Sequence, residues 1–158
     1  MVCVVSGAGS VWDDTARWEA LKTPLACPIC TRGAPLDVLA ELGSTWVTAG
    51  AEAPLPGYAC VVSKRHVVEP FELPPVEMAA FWQEAMLVAR ALDELFEPAK
   101  MNYEIHGNTV PHLHLHLFPR FRGDPFAGGP IDPRRRLYER SADDLDRLRA
   151  AIRRSHGA

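Results

Sequence analysis

The sequence predicts one domain in which antiparallel β-strands and α-helices share a core, and three patterns support this prediction. Two β-branched and aromatic runs flank a turn, a long stretch repeats apolar residues at the helical period, and two further strand patterns follow it. A chain of 158 residues can bury roughly 70% of its unfolded surface as one domain. Because we see no internal repeat and no linker, we expect a single domain over residues 1–158.

The first half of the chain is predicted to form a helix and a pair of strands. Apolar residues lie on one helical face from Trp12 to Leu21, and Pro24 closes that segment. A cysteine-containing turn and a short segment at residues 38–42 follow. The runs at residues 45–49 and 58–63, joined by a Pro- and Gly-rich turn, then predict two neighbouring antiparallel strands.

The second half contains the longest predicted helix and two more strands. A broad apolar stripe at period 3.6 runs between the Pro74-Pro75 pair and Pro98, and it predicts a helix packed on the core. Strict alternation from Lys100 to His106 predicts a half-buried strand, and the next strand spans His112 to Phe118. Ser141 is a suitable N-cap for a final helix.

Composition and charge exclude several classes of protein. The chain is 47% hydrophobic and 23% charged, as in ordinary globular proteins, and no apolar run approaches the ~20 residues of a membrane span. The first nine residues lack the basic start of a signal peptide, so we expect a cytoplasmic protein. Residues 120–158 hold ten of the 17 basic residues and six acids, a bias too small to indicate nucleic-acid binding.

Three histidines in the last predicted strand are the strongest indication of chemistry. His112, His114 and His116 alternate with leucines, so their imidazoles line one face at a spacing of about 6.6–6.8 Å while the leucines enter the core. Imidazole titrates near neutral pH and acts as nucleophile, acid, base or metal ligand. The residues alone leave open whether the three histidines catalyse or together bind a metal.

The cysteines divide into a pair and isolated residues. Cys27 and Cys30 form a C-x-x-C pair, which in a reducing compartment indicates metal binding or redox chemistry. Cys60 lies in an apolar strand pattern and is expected to be a buried, inert thiol. His106 and His156 stand alone in the sequence, and we expect both to be surface or hydrogen-bonded histidines without a catalytic role.

The histidine strand and its surroundings resemble the histidine-triad family. The segment from Gly107 to Arg120 is similar to that family's signature, and the order of hairpin, Lys64-Arg65-His66 turn, long helix and two closing strands also matches over about residues 25–122. Residues 1–24 and 123–158 would be extensions. The resemblance implies an α+β fold with an antiparallel five-stranded sheet, one long helix and a C-terminal helix, usually assembled as a homodimer that binds a nucleoside mono- or polyphosphate.

The resemblance also implies catalytic roles, taken position by position. His114 would be the nucleophile, and His116 would hydrogen-bond the phosphate and help protonate the leaving group. The polar residues Asn108 and Thr109, and less strongly Asn102, would contact the phosphates. The family often has glutamine where this chain has Asn108. Additional donors for the transferring phosphate are available from Arg120, Arg122 and the backbone near Gly107.

A structural zinc site is implied by the same resemblance. Zinc-bearing relatives, including the galactose-1-phosphate uridylyltransferase branch, join a C-x-x-C pair to a histidine after the hairpin and to the first triad histidine. The corresponding ligands here are Cys27, Cys30, His66 and His112, and four protein ligands indicate a closed, structural site. That branch has glutamine in place of His116, so the third histidine favours hydrolysis over transfer to a sugar phosphate.

These observations predict a dimeric hydrolase that forms a nucleotidyl-histidine and acts on an adenine nucleoside phosphoramidate or a dinucleoside polyphosphate. No nucleic acid or membrane is expected as a partner. Three alternatives remain open at this point: phosphorolysis or nucleotidyl transfer by the same residues, a nucleotide-binding module with little turnover, and a metalloenzyme that uses all three triad histidines as ligands.

Overall fold

The structure is a computed structural model that describes residues 11–156. The expectation about a signal peptide in the first nine residues lies outside this range. Within residues 11–156 the helices are α1 (Thr15–Leu21), α2 (Pro28–Arg32), α3 (Pro75–Phe96) and α4 (Ala142–His156), with 3-10 turns at Val11–Asp13 and Pro70–Glu72. The strands of the same range are β1 (Val38–Glu41), β2 (Thr45–Thr48), β3 (Glu52–Ala53), β4 (Ala59–Ser63), β5 (Lys100–Ile105), β6 (His114–Arg120) and β7 (Tyr138–Glu139).

The main sheet confirms the predicted α+β class. Five antiparallel strands are ordered β1-β2-β4-β6-β5, so the strand with the histidines lies between β4 and the edge strand β5. Val62 of β4 faces His114, and Glu104 of β5 faces His116. Since paired residues project on the same side of a sheet, side chains from both neighbouring strands surround the triad.

The two faces of the sheet have different coverings. Helix α3 buries its apolar stripe, including Phe81, Val88 and Leu92, against the leucines of the histidine strand, and α4 packs beside α3. The predicted core role of this stripe is therefore confirmed. The opposite face carries the histidines and a second apolar cluster that includes Tyr58 and Phe118. Because leucine and histidine alternate along the strand, the leucines pack against α3 and the histidines project from the opposite face of the sheet.

The structure differs from the sequence prediction at the start of the histidine strand. The strand begins at His114, two residues later than predicted. The backbone N–H of Leu113 donates to the carbonyl of Val67 at 2.7 Å, and the N–H of Ser63 donates to the carbonyl of Leu113 at 3.0 Å. These bonds join Leu113 to the last residue of β4 and to the turn that follows it. His112 therefore lies before the strand.

The C-x-x-C segment also differs from its prediction as a turn. It starts the short helix α2, for which Cys27 is the N-cap residue. Pro28 at the first helical position has a suitable φ for a helix start. Gly33, with φ of 85°, ends the helix in the left-handed region that glycine adopts at little cost.

The C-terminal extension folds back onto the domain. Strand β7 pairs with β3, and the buried guanidinium of Arg140 donates to the carbonyl of Gly50 at 2.6 Å and to that of Tyr58. Neither two-residue strand was predicted, because two residues carry no periodicity. Several arginines of this extension form ion pairs with carboxylates, as Arg136 does with Glu52 at 2.7 Å. Within residues 11–156, no helix combines the length and apolar character needed to cross a membrane.

Candidate functional site

The hydrogen bonds of His114 determine which of its ring nitrogens can react. Its Nδ1 lies 2.6 Å from the backbone carbonyl oxygen of His112, and because a carbonyl only accepts, Nδ1 carries the proton. Burial lowers the pKa of His114 below its usual value, so the ring is neutral. The remaining nitrogen, Nε2, therefore has a lone pair that can attack an electrophile.

His116 is held by a tyrosine that the sequence analysis did not identify. The Tyr58 hydroxyl lies 2.8 Å from Nδ1 of His116. The His116 ring contacts both Tyr58 and Phe118, with centroids 5.9 and 5.8 Å away, and those two rings stack on each other at 4.9 Å. Burial raises the pKa of Tyr58 well above its ordinary value, and burial lowers the pKa of His116 to about 2. The protonated Tyr58 hydroxyl has no other hydrogen-bond partner among residues 11–156, so its O–H donates a hydrogen bond to Nδ1, and the proton of the neutral His116 ring is on Nε2.

A cavity of about 520 Å³ opens beside these two histidines. Its wall includes residues from the N-terminal 3-10 turn, from the loop after β5 and from the C-terminal extension. The lining residues are Trp12, His106, Gly107, Asn108, Thr109, Val110, His114, His116 and residues 130–134. This volume lies within the range of small-molecule sites.

The structure brings some of the predicted phosphate-binding residues to the cavity and not others. Asn108 and Thr109 line it together with the histidines. Asn102 does not line it, and its Oδ1 lies 3.3 Å from Nζ of Lys100. Arg120 is engaged elsewhere, because its Nε donates to Asp124 at 2.8 Å. Arg122 is exposed and is also absent from the cavity wall.

A fourth histidine lines the cavity. The ring centroid of His106 is 4.8 Å from that of His116, and its Nε2 lies 3.0 Å from a carboxylate oxygen of Glu104. His106 is hydrogen-bonded, as expected, but its location at the cavity was missed. The signal was present in the sequence, because alternation along β5 projects Glu104 and His106 from one face and pairing with β6 makes it the triad face.

Cys27, Cys30, His66 and His112 form the predicted cluster on the other side of His114, and their ligand atoms lie within 4.8 Å of one another. Sγ of Cys27 is 3.4 Å from Nδ1 of His112, and Sγ of Cys30 is 3.3 Å from Nδ1 of His66. A tetrahedral metal bound by sulfur at about 2.3 Å and nitrogen at about 2.0 Å has neighbouring ligand atoms about 3.3–3.8 Å apart. These two distances fit that geometry.

The orientation of the two rings also fits a bound cation. Nε2 of His66 lies 2.8 Å from the carbonyl oxygen of Lys22, and Nε2 of His112 lies 2.8 Å from that of Ser63. Both Nε2 atoms therefore carry protons, and the two unprotonated Nδ1 atoms face each other at 3.2 Å. Two lone pairs at this distance repel unless a cation lies between them, so the cluster could hold a metal ion.

The three triad histidines do not converge on one metal. Nδ1 of His112 faces the cysteines, that of His114 bonds a backbone carbonyl, and that of His116 bonds Tyr58. Among residues 11–156, the cluster with the two cysteines is the one group of three or more candidate ligands. The geometry therefore disfavours the metalloenzyme alternative.

Comparison with protein families identifies the class of this chain. The model of the HIT domain, the domain of the histidine-triad proteins, matches residues 32–123. The match covers more than half of the chain and includes the triad, and the chain belongs to this family. Both cysteines of the cluster and the C-terminal wall of the cavity lie outside the matched residues.

Two curated relatives are named as nucleotide hydrolases. The chain is 31% identical over 75 residues to the asymmetrical bis(5'-nucleosyl)-tetraphosphatase of Schizosaccharomyces pombe, covering 44% of this chain and 41% of the relative. It is also 31% identical over 75 residues to the bis(5'-adenosyl)-triphosphatase of Dictyostelium discoideum, with 44% and 50% covered. The chain thus spans about half the length of the curated relatives it matches.

Solved structures are similar over a larger part of the chain. A histidine triad protein from Bradyrhizobium japonicum has a TM-score of 0.67 and 28% identity, covering 75% of this chain and 89% of its own. A Zn-bound histidine triad family protein from Mycobacterium smegmatis has a TM-score of 0.60 and 25% identity, with 84% and 96% covered. Both comparisons support the fold described above.

Proposed function

We propose that the protein is a nucleotide hydrolase that works through a covalent nucleotidyl-His114. Nε2 of His114 attacks a phosphorus atom, a P–N bond forms, and the leaving oxygen departs with its electron pair. Water then adds to the same phosphorus, the P–N bond breaks, and its electron pair returns to Nε2. Covalent catalysis of this kind divides one difficult displacement into two easier ones.

The observation that carries this proposal is the hydrogen bond from Nδ1 of His114 to the carbonyl oxygen of His112 at 2.6 Å. It assigns the proton to Nδ1 and leaves Nε2 as the nucleophilic atom of a residue that lines the cavity. An imidazole with a fixed tautomer does not have to lose a proton before it attacks.

His116, Asn108 and Thr109 are proposed to bind the phosphate chain. Tyr58 directs the proton of His116 to Nε2, where it donates a hydrogen bond and stabilises charge on a phosphate oxygen. A ring whose pKa is lowered to about 2 by burial remains neutral and is a poor carrier of a second proton. We therefore propose hydrogen bonding by His116 in place of the proton transfer that the family resemblance implied.

This role of His116 favours dinucleoside polyphosphates as substrates. A phosphate oxygen can leave as a stable anion, whereas the amine of a phosphoramidate must be protonated to leave. The names of the two curated relatives support the same choice. We propose adenine dinucleoside polyphosphates as the first substrate class and adenine phosphoramidates as the second. Phosphorolysis is the alternative reaction of the same covalent intermediate.

We further propose that the Cys27, Cys30, His66 and His112 cluster holds structural zinc. Two thiolates and two imidazoles are a preferred zinc donor set, and four protein ligands leave no position for substrate. When bound, the ion would tie α2 and the Lys64-Arg65-His66 turn to the residues that begin the histidine strand. The Zn-bound relative from Mycobacterium smegmatis supports this assignment.

A homodimer is the proposed assembly. Strand β5 is an edge of the sheet and exposes Tyr103 and Ile105, with 45% and 38% of their surfaces accessible. Unpaired edge strands with apolar side chains favour association with another chain. Light scattering at micromolar concentration checks this proposal, and a particle of about 17 kDa, the mass of one chain, would contradict it.

The central experiment is a rapid quench without acid followed by mass spectrometry. The purified protein is mixed with diadenosine polyphosphates or an adenosine phosphoramidate, with and without orthophosphate. We expect a nucleotidyl mass on His114, loss of that mass in His114→Ala, and no change in the matched control His156→Ala, which alters an exposed histidine of α4. An adduct that persists in His114→Ala, or maps to another histidine, would sink the assignment.

A further inference from the structure

The cavity contains a carboxylate–histidine pair that the triad does not include. Nε2 of His106 lies 3.0 Å from Oε2 of Glu104, and their side chains are 34% and 15% exposed. The Glu104 carboxylate also lies 3.3–3.4 Å from the backbone N of Ile131, a residue of the cavity wall. The Glu104 carboxylate therefore contacts both His106 and the backbone of Ile131 in the cavity wall.

This contact selects one tautomer of His106. An ionised carboxylate only accepts hydrogen bonds, so Nε2 of His106 carries the proton and Nδ1 is left as the basic atom. The part-buried Glu104 carboxylate also holds the His106 ring in place through this contact. Serine hydrolases use a comparable carboxylate–imidazole pair with the two ring nitrogens exchanged, in which the carboxylate orients the imidazole base.

The second half of the proposed reaction requires a proton acceptor. Water must lose a proton as it adds to the phosphorus of nucleotidyl-His114, and His114 itself is then bonded to phosphorus. His116 is unsuited to this task, because Nδ1 accepts from Tyr58 at 2.8 Å and Nε2 carries the proton. Among the three histidines lining the cavity, His106 is the one that remains.

We propose that His106 is the general base that activates water for cleavage of nucleotidyl-His114, with Glu104 as its positioning residue. The water oxygen forms a bond to phosphorus, its proton moves to Nδ1 of His106, and the P–N electron pair returns to Nε2 of His114. The products are the nucleoside monophosphate and the free enzyme, and His106 then releases its proton to solvent. This inference rests on the proposed function, because it needs the covalent intermediate.

The proposal also addresses the choice between hydrolysis and phosphorolysis. Water is a weak nucleophile until a base removes its proton, whereas orthophosphate already presents an anionic oxygen. A base in the cavity wall therefore accelerates attack by water and gives little advantage to orthophosphate. His106 would make hydrolysis the main fate of the intermediate.

The test separates formation of nucleotidyl-His114 from its breakdown. Full-length His106→Gln, Glu104→Gln and the control His156→Gln are mixed with a diadenosine polyphosphate and quenched at intervals without acid. In His106→Gln we expect formation within about threefold of wild type, and breakdown by water slower by about 10²–10⁴, as for loss of a general base. The adduct should accumulate, and Glu104→Gln should show a smaller effect in the same direction.

Fluoride provides a readout that a merely structural role would not give. Fluoride has no proton to lose, so it cleaves the P–N bond to give a nucleotidyl fluoride without needing a base. Its rate constant should be within about threefold of wild type in His106→Gln.

Breakdown by water that is unchanged in His106→Gln, or a fluoride reaction slowed as much as the water reaction, would overturn this inference alone. The proposed function would still stand in either case. A wild-type protein that forms no adduct would overturn the proposed function and this inference together.

Discussion

Hydrogen bonds to ring nitrogens determine what each histidine of this site can do. His114 and His116 are both buried on the same strand, yet a backbone carbonyl fixes the proton of one on Nδ1 and a phenol fixes the proton of the other on Nε2. The first ring therefore presents a lone pair and the second a donor. The hydrogen-bond partner of each imidazole therefore determines whether Nε2 carries a lone pair or a proton.

Replacement of Tyr58 tests this assignment. Tyr58→Phe removes the hydroxyl that donates to Nδ1 of His116. Without this hydrogen bond, the proton of the His116 ring is no longer held on Nε2. Loss of one such bond costs about 1–1.5 kcal/mol, which corresponds to about tenfold in the rate of adduct formation. Rapid-quench kinetics measure this rate, with Tyr138→Phe, a part-exposed tyrosine outside the cavity wall, as control. Equal rates in Tyr58→Phe and wild type would show that the bond does not direct His116.

A second residue-level prediction concerns stability at low pH. Hydrogen bonds from Arg120 and from the backbone of Phe121 and Phe126 lower the pKa of Asp124 to about 2 in the folded protein, below about 3.9 in the unfolded chain. A lowered folded pKa stabilises the protein above the unfolded pKa, and this contribution is lost as pH falls through the folded value.

Asp124→Asn should accordingly lower the free energy of unfolding by about 1–3 kcal/mol at pH 6–7, as expected for bonds to a charged group. The difference from wild type should shrink between about pH 4 and pH 2. Urea denaturation across this range measures it, and Glu94→Gln, a change in an exposed carboxylate of α3, serves as the control. A difference that is independent of pH would contradict the role of the charge.

At the scale of secondary-structure elements, the long patterns were predictable and the short ones were not. Helix α3 and strand β5 were correctly predicted because their periodicity extends over 22 and six residues. Helix α2, with five residues, and the paired strands β3 and β7, with two each, carry too little pattern to identify. Their formation depends on tertiary contacts such as the bonds of Arg140.

The same distinction applies to the candidate site. The four residues of the candidate metal cluster and the two histidines proposed to be catalytic were predicted because they match a motif. Tyr58 and His106 were missed because neither belongs to it, and their contacts depend on the pairing of β6 with β4 and β5. Asn102 was the weaker candidate for the phosphates, and it does not line the cavity but contacts Lys100.

Removal of the proposed zinc tests how these elements are held together. Purified protein should contain about one zinc per chain, and prolonged chelation should lower Tm, because binding energy at a structural site contributes to folding. Cys27→Ser should lower zinc content and Tm in the same way, whereas Cys60→Ser alters a buried cysteine outside the cluster and should keep the metal. Metal analysis without zinc in protein purified in the absence of chelators would contradict the proposal.

At the scale of the whole molecule, both extensions contribute to the site. Trp12 and residues 130–134 form cavity wall, and Leu148 and Ile152 of α4 belong to the main core. The sheet, the cavity and the C-terminal helix are therefore parts of one packed unit. We therefore predict that the chain unfolds as a single domain in one cooperative transition.

Ile152→Ala tests that cooperativity, because Ile152 is fully buried in the core cluster shared by α4, α3 and the sheet. Truncation of such a side chain should cost about 2–5 kcal/mol, whereas Arg153→Ala on the exposed side of α4 should change stability by less than about 0.5 kcal/mol. Urea unfolding is followed by tryptophan fluorescence and by far-UV circular dichroism. The first reports on Trp46 in the sheet, Trp82 in α3 and two tryptophans of the N-terminal segment, and the second reports on all helices. In one cooperative unit both signals shift together to lower urea concentration with an unchanged slope. If Ile152→Ala instead separated the two transitions, α4 would be an independently unfolding segment and the extension would not be part of a single domain.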